Sequence, residues 1–228
     1  MTSNIKFKAL VPMKEHSERV PNKNLRLFMG KPLCYYVINS LLGAFYIESV
    51  YINTDSQAIK DKITQLFGER VGIIDRPMAI QGDFVSMNTI IDYDLSQIDG
   101  EYFLQTHSTN PLLKTETIDK AIETFLNNQG NCDSLFTVDR IQNRLYRENL
   151  MPVNHDPMEM LRTQDLPPIF MENSNLYIFT RSSFNKEKCR IGKNPMIFET
   201  PKLESVDIDV EEDFILAELI GSSKELYV

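Results

Sequence analysis

Short apolar runs alternate with amphipathic stretches along most of this chain. Residues 7–13, reading Phe-Lys-Ala-Leu-Val-Pro-Met, are apolar over the length of a buried strand. Residues 33–46 read as a helix that opens behind Pro32, a residue suited to a first helical turn. Residues 50–53 form a second strand and end in Thr54-Asp55-Ser56, a helix N-cap. Residues 57–67 then place Ile59, Ile63 and Leu66 or Phe67 on one helical face. The pattern continues with strands at 71–74, 102–105, 134–138, 175–179 and 204–209. Between them it predicts helices at 85–98, at 115–127 (capped by a Thr, with Ile118, Ile122 and Phe125 inward) and at 211–220. This repetition predicts an α/β fold, a doubly wound and mostly parallel sheet covered by helices on both faces.

The rhythm breaks between 139 and 173. That stretch holds Arg140, Arg144, Arg147 and Arg162 with prolines at 152, 157, 167 and 168, and shows little helical periodicity. It is expected to be either a hairpin-rich arm packing on another subunit or a long surface excursion. The whole chain, 1–228, is expected to form one domain with this arm.

Charge narrows the partners. The 24 basic residues against 32 acidic ones give a net charge of −8, which argues against a general nucleic-acid binder. A small anionic ligand remains open, because local clustering decides that question. Cys34, Cys132 and Cys189 form no C-x-x-C pair, so a reducing cytoplasm is expected. Residues 1–6 lack the apolar core of a signal peptide, and no apolar run has the length of a membrane span.

Two clusters carry candidate chemistry. Lys14, Arg19, Lys23 and Arg26 lie in the polar loop between the first strand and the first helix. Cations and loop amides gathered there could hold a phosphate chain, although both Walker A and G-x-G-x-x-G are missing. Fixed cations would stabilise the charge that grows on a leaving pyrophosphate. The second cluster is Asp207-Ile208-Asp209, in which alternate side chains of an extended segment face one site. Such a pair suits Mg²⁺ or Mn²⁺, which take oxygen ligands and keep waters.

The segment 11–24, Val-Pro-Met-Lys-Glu-His-Ser-Glu-Arg-Val-Pro-Asn-Lys-Asn, resembles the amino-terminal signature of the acylneuraminate cytidylyltransferase family, related to the Kdo cytidylyltransferases. The family reads Pro-Ala-Arg-Gly-Gly-Ser-Lys-Xaa-Ile-Pro-Xaa-Lys-Asn. Here Lys14 stands for the Arg, Glu15 and His16 for the glycines, and Glu18 for the first Lys. Five further segments resemble the family in the same order. They are 53–56 (Asn-Thr-Asp-Ser), 76–83 (Arg-Pro-Met-Ala-Ile-Gln-Gly-Asp), 104–113, 162–177 and 207–214. A capping role accounts for Thr54 or Asp55.

The resemblance implies catalytic roles for Lys23, Arg19 and Lys14. It implies nucleotide contacts from Pro12, Met13, Lys14, Ser17, Lys23, Asn24, Arg76, Asp83 and Ser86. Acceptor contacts fall to Gln105, Arg162, Gln164, Asn173 and Tyr177, with the metal on Asp207 and Asp209. Glu212 and Asp213 are better explained as acids in the first turn of the last helix. His107 could be a base or a ligand, although a lone loop histidine is commonly neither. The segment 104–113 is two residues longer than the family pattern and ends in Leu113 instead of Arg, while Ser174 replaces a Gly.

The implied reaction is transfer of CMP from CTP to a small acidic sugar, of nonulosonic acid type, with release of pyrophosphate by a homodimer. Kdo-like acids and phosphorylated or phosphonate acceptors are alternatives, the last matching the arginines between 139 and 162. A DxD glycosyltransferase and a non-catalytic nucleotide-binding paralogue are the competing classes.

Overall fold

The computed structural model describes residues 5–14, 19–159 and 161–223. Its frame is a seven-stranded sheet. In chain order the elements are β1 (Phe7–Leu10), a two-stranded hairpin of β2 (Leu27–Phe28) and β3 (Lys31–Pro32), α1 (Leu33–Gly43), β4 (Ile47–Thr54), α2 (Gln57–Phe67), β5 (Val71–Asp75) and α3 (Met87–Gln97). There follow β6 (Tyr102–Thr106), α4 (Thr115–Asn128), β7 (Ser134–Ile141), β8 (Ile169–Thr180), α5 (Arg181–Glu187), β9 (Pro195–Glu199) and α6 (Glu211–Ser222). The strands lie in the order β5-β4-β1-β6-β8-β7-β9. β8 runs antiparallel to β6 and β7, and the remaining pairings are parallel.

The period of two in the strands divides the core. Phe7, Ala9 and Val11 face α1, α2 and α4, together with Leu104 and Ile178. Leu10, Phe103 and Phe179 face the other way, onto Ile91 and Leu95 of α3 and Phe184 of α5. A third cluster seats Phe214 and Ala217 of α6 against Phe28 and Leu33. These buried side chains account for the doubly wound arrangement, since each face of the sheet needs a helical cover.

Three expectations are corrected and one strand is added. Residues 204–209 are not a strand: their backbone is tied by Ile208 N–H to Thr109 O at 2.9 Å and by Asn175 Nδ2 to Glu204 O at 2.9 Å. The edge strand is instead β9, whose alternating intermediate and exposed burial gives a weak apolar signal. The first helix stops at Gly43, because Ala44 turns extended and Phe45 and Tyr46 donate their backbone N–H groups to Asp119. The N-cap of α4 is Lys114, whose N–H donates to Glu204; Thr115 Oγ1 donates to Ser40 O.

Both ends of the 139–173 stretch belong to the sheet. Val138 to Ile141 pair with Glu172 to Ile169, so the excursion grows from the β7–β8 ladder. Further in, that ladder breaks. Phe136 pairs with Tyr177 and Val138 with Glu172, leaving Thr137 alone opposite residues 173–176. This bulge pushes Ser174 out of the ladder in the left-handed conformation, φ +59°.

Candidate active site

A cleft of about 470 Å³ opens where the parallel strands end. β4 and β5 lie on one side of β1 and β6 on the other, so the chain reverses its direction of travel across the sheet between β1 and β6. Ligands of open α/β sheets bind at such a switch point, beyond the carboxyl ends of the strands. The lining residues match that rule. Pro12, Met13 and Lys14 follow β1, Arg76 follows β5, and His107, Ser108 and Thr109 follow β6.

The cationic loop crosses to the aspartate pair. Arg19 Nη2 donates to Asp209 Oδ1 at 2.9 Å, and Lys23 Nζ lies 3.7 Å from the same oxygen while donating to Ile208 O at 2.6 Å. Asn22 turns the chain in the left-handed region (φ +53°) and starts the short turn that carries Lys23 and Asn24 inward. Asn24 then locks the turn, donating to Lys14 O and accepting from Ser108 Oγ. Across the mouth, Lys14 donates to Asp83 Oδ1. Gly82, at φ +102°, makes the turn before Asp83, a geometry that L residues rarely adopt.

Asp207 and Asp209 both line the cleft although their segment is not a strand. An extended backbone is sufficient: the side chain between them, Ile208, is fully buried against α6 and the small hairpin. Asp213 Oδ2 accepts from the N–H groups of Asp209 and Val210, both at 2.9 Å, and so fixes the start of α6. Burial raises the Asp207 carboxyl, opposed by a hydrogen bond with Thr109 and reinforced by Asp209. Its Oδ1 is buried and has no hydrogen-bond partner among the described residues. Burial also lowers the Lys23 ammonium, against the pull of Asp209 and Asp207.

The wall under Arg76 is a buried polar relay. Arg76 donates from Nε to Asn53 Oδ1 at 2.6 Å and from Nη2 to the carbonyls of Asn53 and Met13. Asn53 Nδ2 donates onward to Asp94 Oδ1. Asp94 is 1% exposed, and burial pushes its carboxyl up to about 7.

Seven residues expected to contact the nucleotide line this cleft, Pro12, Met13, Lys14, Lys23, Asn24, Arg76 and Asp83, and so does Arg19, expected to be catalytic. Ser86 does not; it caps α3 by accepting from Thr89 N–H. Ser17 lies outside the described residues. The residues expected at the acceptor divide. Gln105 and Tyr177 are buried just behind the lining residues His107 and Ser174: Gln105 Nε2 is 3.4 Å from His107 Nε2, and the Tyr177 hydroxyl, which donates to Glu172, lies 3.2 Å from Ser174 Oγ and accepts from it. Asn173 is turned inward, donating to Asp139 and Thr200. Arg162 is held by Asp165 on the arm, and Gln164 O accepts from Gln142, so neither reaches the cleft. His107 is pushed down to about 4 by burial, with Arg190 and Lys23 adding to it, and is neutral at pH 7.

One residue behind the cleft escaped the sequence reading. Arg190, from the loop after α5, stacks its guanidinium 3.5 Å from the centre of the Tyr177 ring and donates to Gln105 Oε1. It lies in no segment that matched a motif, and only its place beside Tyr177 in the fold reveals it.

Comparison with known proteins gives a consistent outcome. The family model described as Cytidylyltransferase matches residues 8–221. N-acylneuraminate cytidylyltransferase A of Danio rerio is 27% identical over 217 residues, covering 92% of this chain and 49% of that protein. Pseudaminic acid cytidylyltransferase of Campylobacter jejuni is 22% identical over 222 residues, covering 92% and 94%. This chain thus spans about half the length of the N-acylneuraminate relative. The solved structure of CMP:2-keto-3-deoxy-manno-octonic acid synthetase with CTP superposes with a TM-score of 0.69 at 12% identity, covering 96% of this chain and 99% of that one. That likeness is one of fold.

Proposed function

This chain belongs to the cytidylyltransferase family, and on that premise we propose that it transfers CMP from CTP to the hydroxyl of an acidic sugar of nonulosonic type. The observation that carries this reading is the meeting of Arg19 and Lys23 with Asp207 and Asp209 across one cleft at the sheet's switch point. Relatives named for N-acylneuraminate and pseudaminic acid support the acceptor class.

In the proposed reaction the acceptor oxygen bonds to the α-phosphorus of CTP. The bond to the bridging oxygen breaks, its electron pair leaves on pyrophosphate, and the acceptor's proton passes to solvent. Lys23, 13% exposed and anchored by Ile208 O, holds the triphosphate at a fixed point; Arg19 reaches the same tail from the surface. Lys14 closes the mouth. Arg76 and Asn24 shape the nucleotide wall, the first held rigid by Asn53 and the second by Ser108. His107, neutral, excludes water and is a poor general base.

Asp207 and Asp209 fit a hard divalent cation. The free, buried Oδ1 of Asp207 is an oxygen ligand without a protein partner among the described residues, and Asp209 stands one residue on. Mg²⁺ there would neutralise phosphate charge and polarise the phosphoryl oxygens. Among the described residues no third His, Cys, Asp or Glu joins them, which suits an ion that keeps waters and takes phosphate oxygens.

We assign the 139–173 arm to contact with a second copy, on the strength of its exposed apolar side chains Leu150, Met151 and Met158. The three cysteines are free, which fits work in the cytoplasm. Among the described residues no helix is long and apolar enough to cross a membrane. Incubation with CTP, Mg²⁺ and each of a panel of nonulosonic acids, followed by mass spectrometry, should give a CMP conjugate of one acid. Recovery of free CMP or unchanged CTP throughout would contradict the reading.

A further inference from the structure

We propose that Arg190 forms an oxyanion subsite at the acceptor end of the cleft and binds the acid group of the acceptor. This rests on the function proposed above and adds the residue that would select its substrate.

The guanidinium is held in place before any ligand arrives. Arg190 N–H donates to Asn88 Oδ1 at 3.1 Å, and two residues on Gly192 N–H donates to Ser134 Oγ at 2.8 Å, so the loop after α5 is pinned to α3 and β7. The side chain lies over the Tyr177 ring and gives one hydrogen bond, from Nη1, to Gln105. Among the described residues the edge carrying Nε and Nη2 has no partner. That edge is the fork which meets a carboxylate side-on, as Arg162 does with both oxygens of Asp165 elsewhere in this chain.

Burial works against the positive charge, and among the described residues no acid forms a salt bridge with it. Glu172, the acid that acts on Arg190, accepts from the Tyr177 hydroxyl and makes no ion pair with the guanidinium. His107 is neutral. A half-buried cation without a salt bridge is costly unless an anion completes it. The position is right for the acceptor: the partners of Arg190, Gln105 and Tyr177, touch the cleft-lining His107 and Ser174. CTP instead meets Lys23 and Arg19 at the Asp209 end. A carboxylate or a phosphate on the acceptor shares the chemistry this fork recognises.

The test begins with pyrophosphate release by the full chain from CTP, across nonulosonic acids in one arm and sugar phosphates in the other. The arm that responds identifies the anion. With the responding acceptor, Arg190→Gln should raise its KM about tenfold or more. The KM for CTP and kcat should stay within about twofold, and Arg190→Lys should recover part of the loss. Masking the acceptor's acid group as its methyl ester should cost wild type the same factor and cost Arg190→Gln nothing more. An unchanged acceptor KM, or a loss confined to kcat or to CTP, overturns the proposal in favour of a structural prop for Gln105. If no acceptor reacts, the proposed function fails, and thermal shift decides the subsite separately. A shift induced by N-acetylneuraminate or by inorganic phosphate in wild type and missing in Arg190→Gln supports it; equal responses overturn it.

Discussion

Arg19 and Asp209 meet at 2.9 Å across 190 residues of sequence, joining the first loop of the chain to the start of its last helix. A cation suited to phosphate and an acid suited to a metal neutralise each other in this contact. Lys23 shares the same oxygen at 3.7 Å. Binding of a triphosphate with a divalent ion would exchange these partners: the cations would turn to phosphate oxygens and the carboxylate to the ion.

That exchange separates binding from turnover at Asp209. Asp209→Asn frees Arg19 and Lys23, so CTP affinity without divalent ions should hold or improve by up to a few fold, the scale of an exposed ion pair. Turnover with Mg²⁺ should fall by about two to three orders of magnitude. Calorimetry in chelator and steady-state kinetics check the two halves. Full activity in the variant would remove the metal assignment.

The two loop cations should differ in weight. Lys23 is 13% exposed and Arg19 61% exposed, so solvent screens the second far more. Lys23→Ala should lower kcat/KM for CTP by about a hundredfold or more. Arg19→Ala should cost about tenfold, with a stronger dependence on salt. Equal losses would argue against this ranking.

Asp94 should give stability a pH signature. Its folded value of about 7 lies above the ordinary 3.8, so the folded chain keeps a proton that the unfolded chain releases. Stability from this group is therefore fully present below pH about 4 and lost as pH climbs towards 7, on the order of a few kcal/mol in all. The groups facing it are Asn53 and, beyond, Arg76. Asp94→Asn removes the titration. The melting temperature of wild type relative to this variant should fall between pH 5 and pH 8, and a flat difference would contradict it.

Ser174 sits at φ +59° in the bulge of β8, where an L side chain costs about 1 kcal/mol or more. Ser174→Ala keeps that strain and loses the hydrogen bond with Tyr177, whereas Ser174→Gly relieves it. Urea denaturation should rank the glycine variant above the alanine variant by about 1 kcal/mol.

The arm's exposed side chains, Leu150 at 79% and Met158 at 91%, should lose a partner when charged. Met158→Asp combined with Leu150→Asp should shift sedimentation from dimer to monomer. A monomeric wild type would remove the assignment.

The legible parts of this fold were those in which burial is periodic. The face of α2 read from Ile59, Ile63 and Phe67 is the buried one, and its bounds match because Ser56 caps one end and Gly68 turns the other. β9 was illegible because an edge strand with one solvated face carries little apolar signal. The segment at Asp207 was misread as a strand for the opposite reason. Alternation around Ile208 reports an extended backbone with one buried side, and a loop held by Thr109 satisfies that as well as a ladder does. At the site, local motifs carried Lys23, Arg76 and Asp207. Arg190 and the Asn53–Asp94 relay depend on contacts between distant elements and have no local signature.

The most direct test of the central claim is pyrophosphate release from each of the four nucleoside triphosphates with Mg²⁺ and a nonulosonic acid, beside Asp209→Asn. The account predicts release that requires both CTP and the acid and collapses in the variant. Release indifferent to the base or to the acceptor, or undiminished in Asp209→Asn, would contradict it.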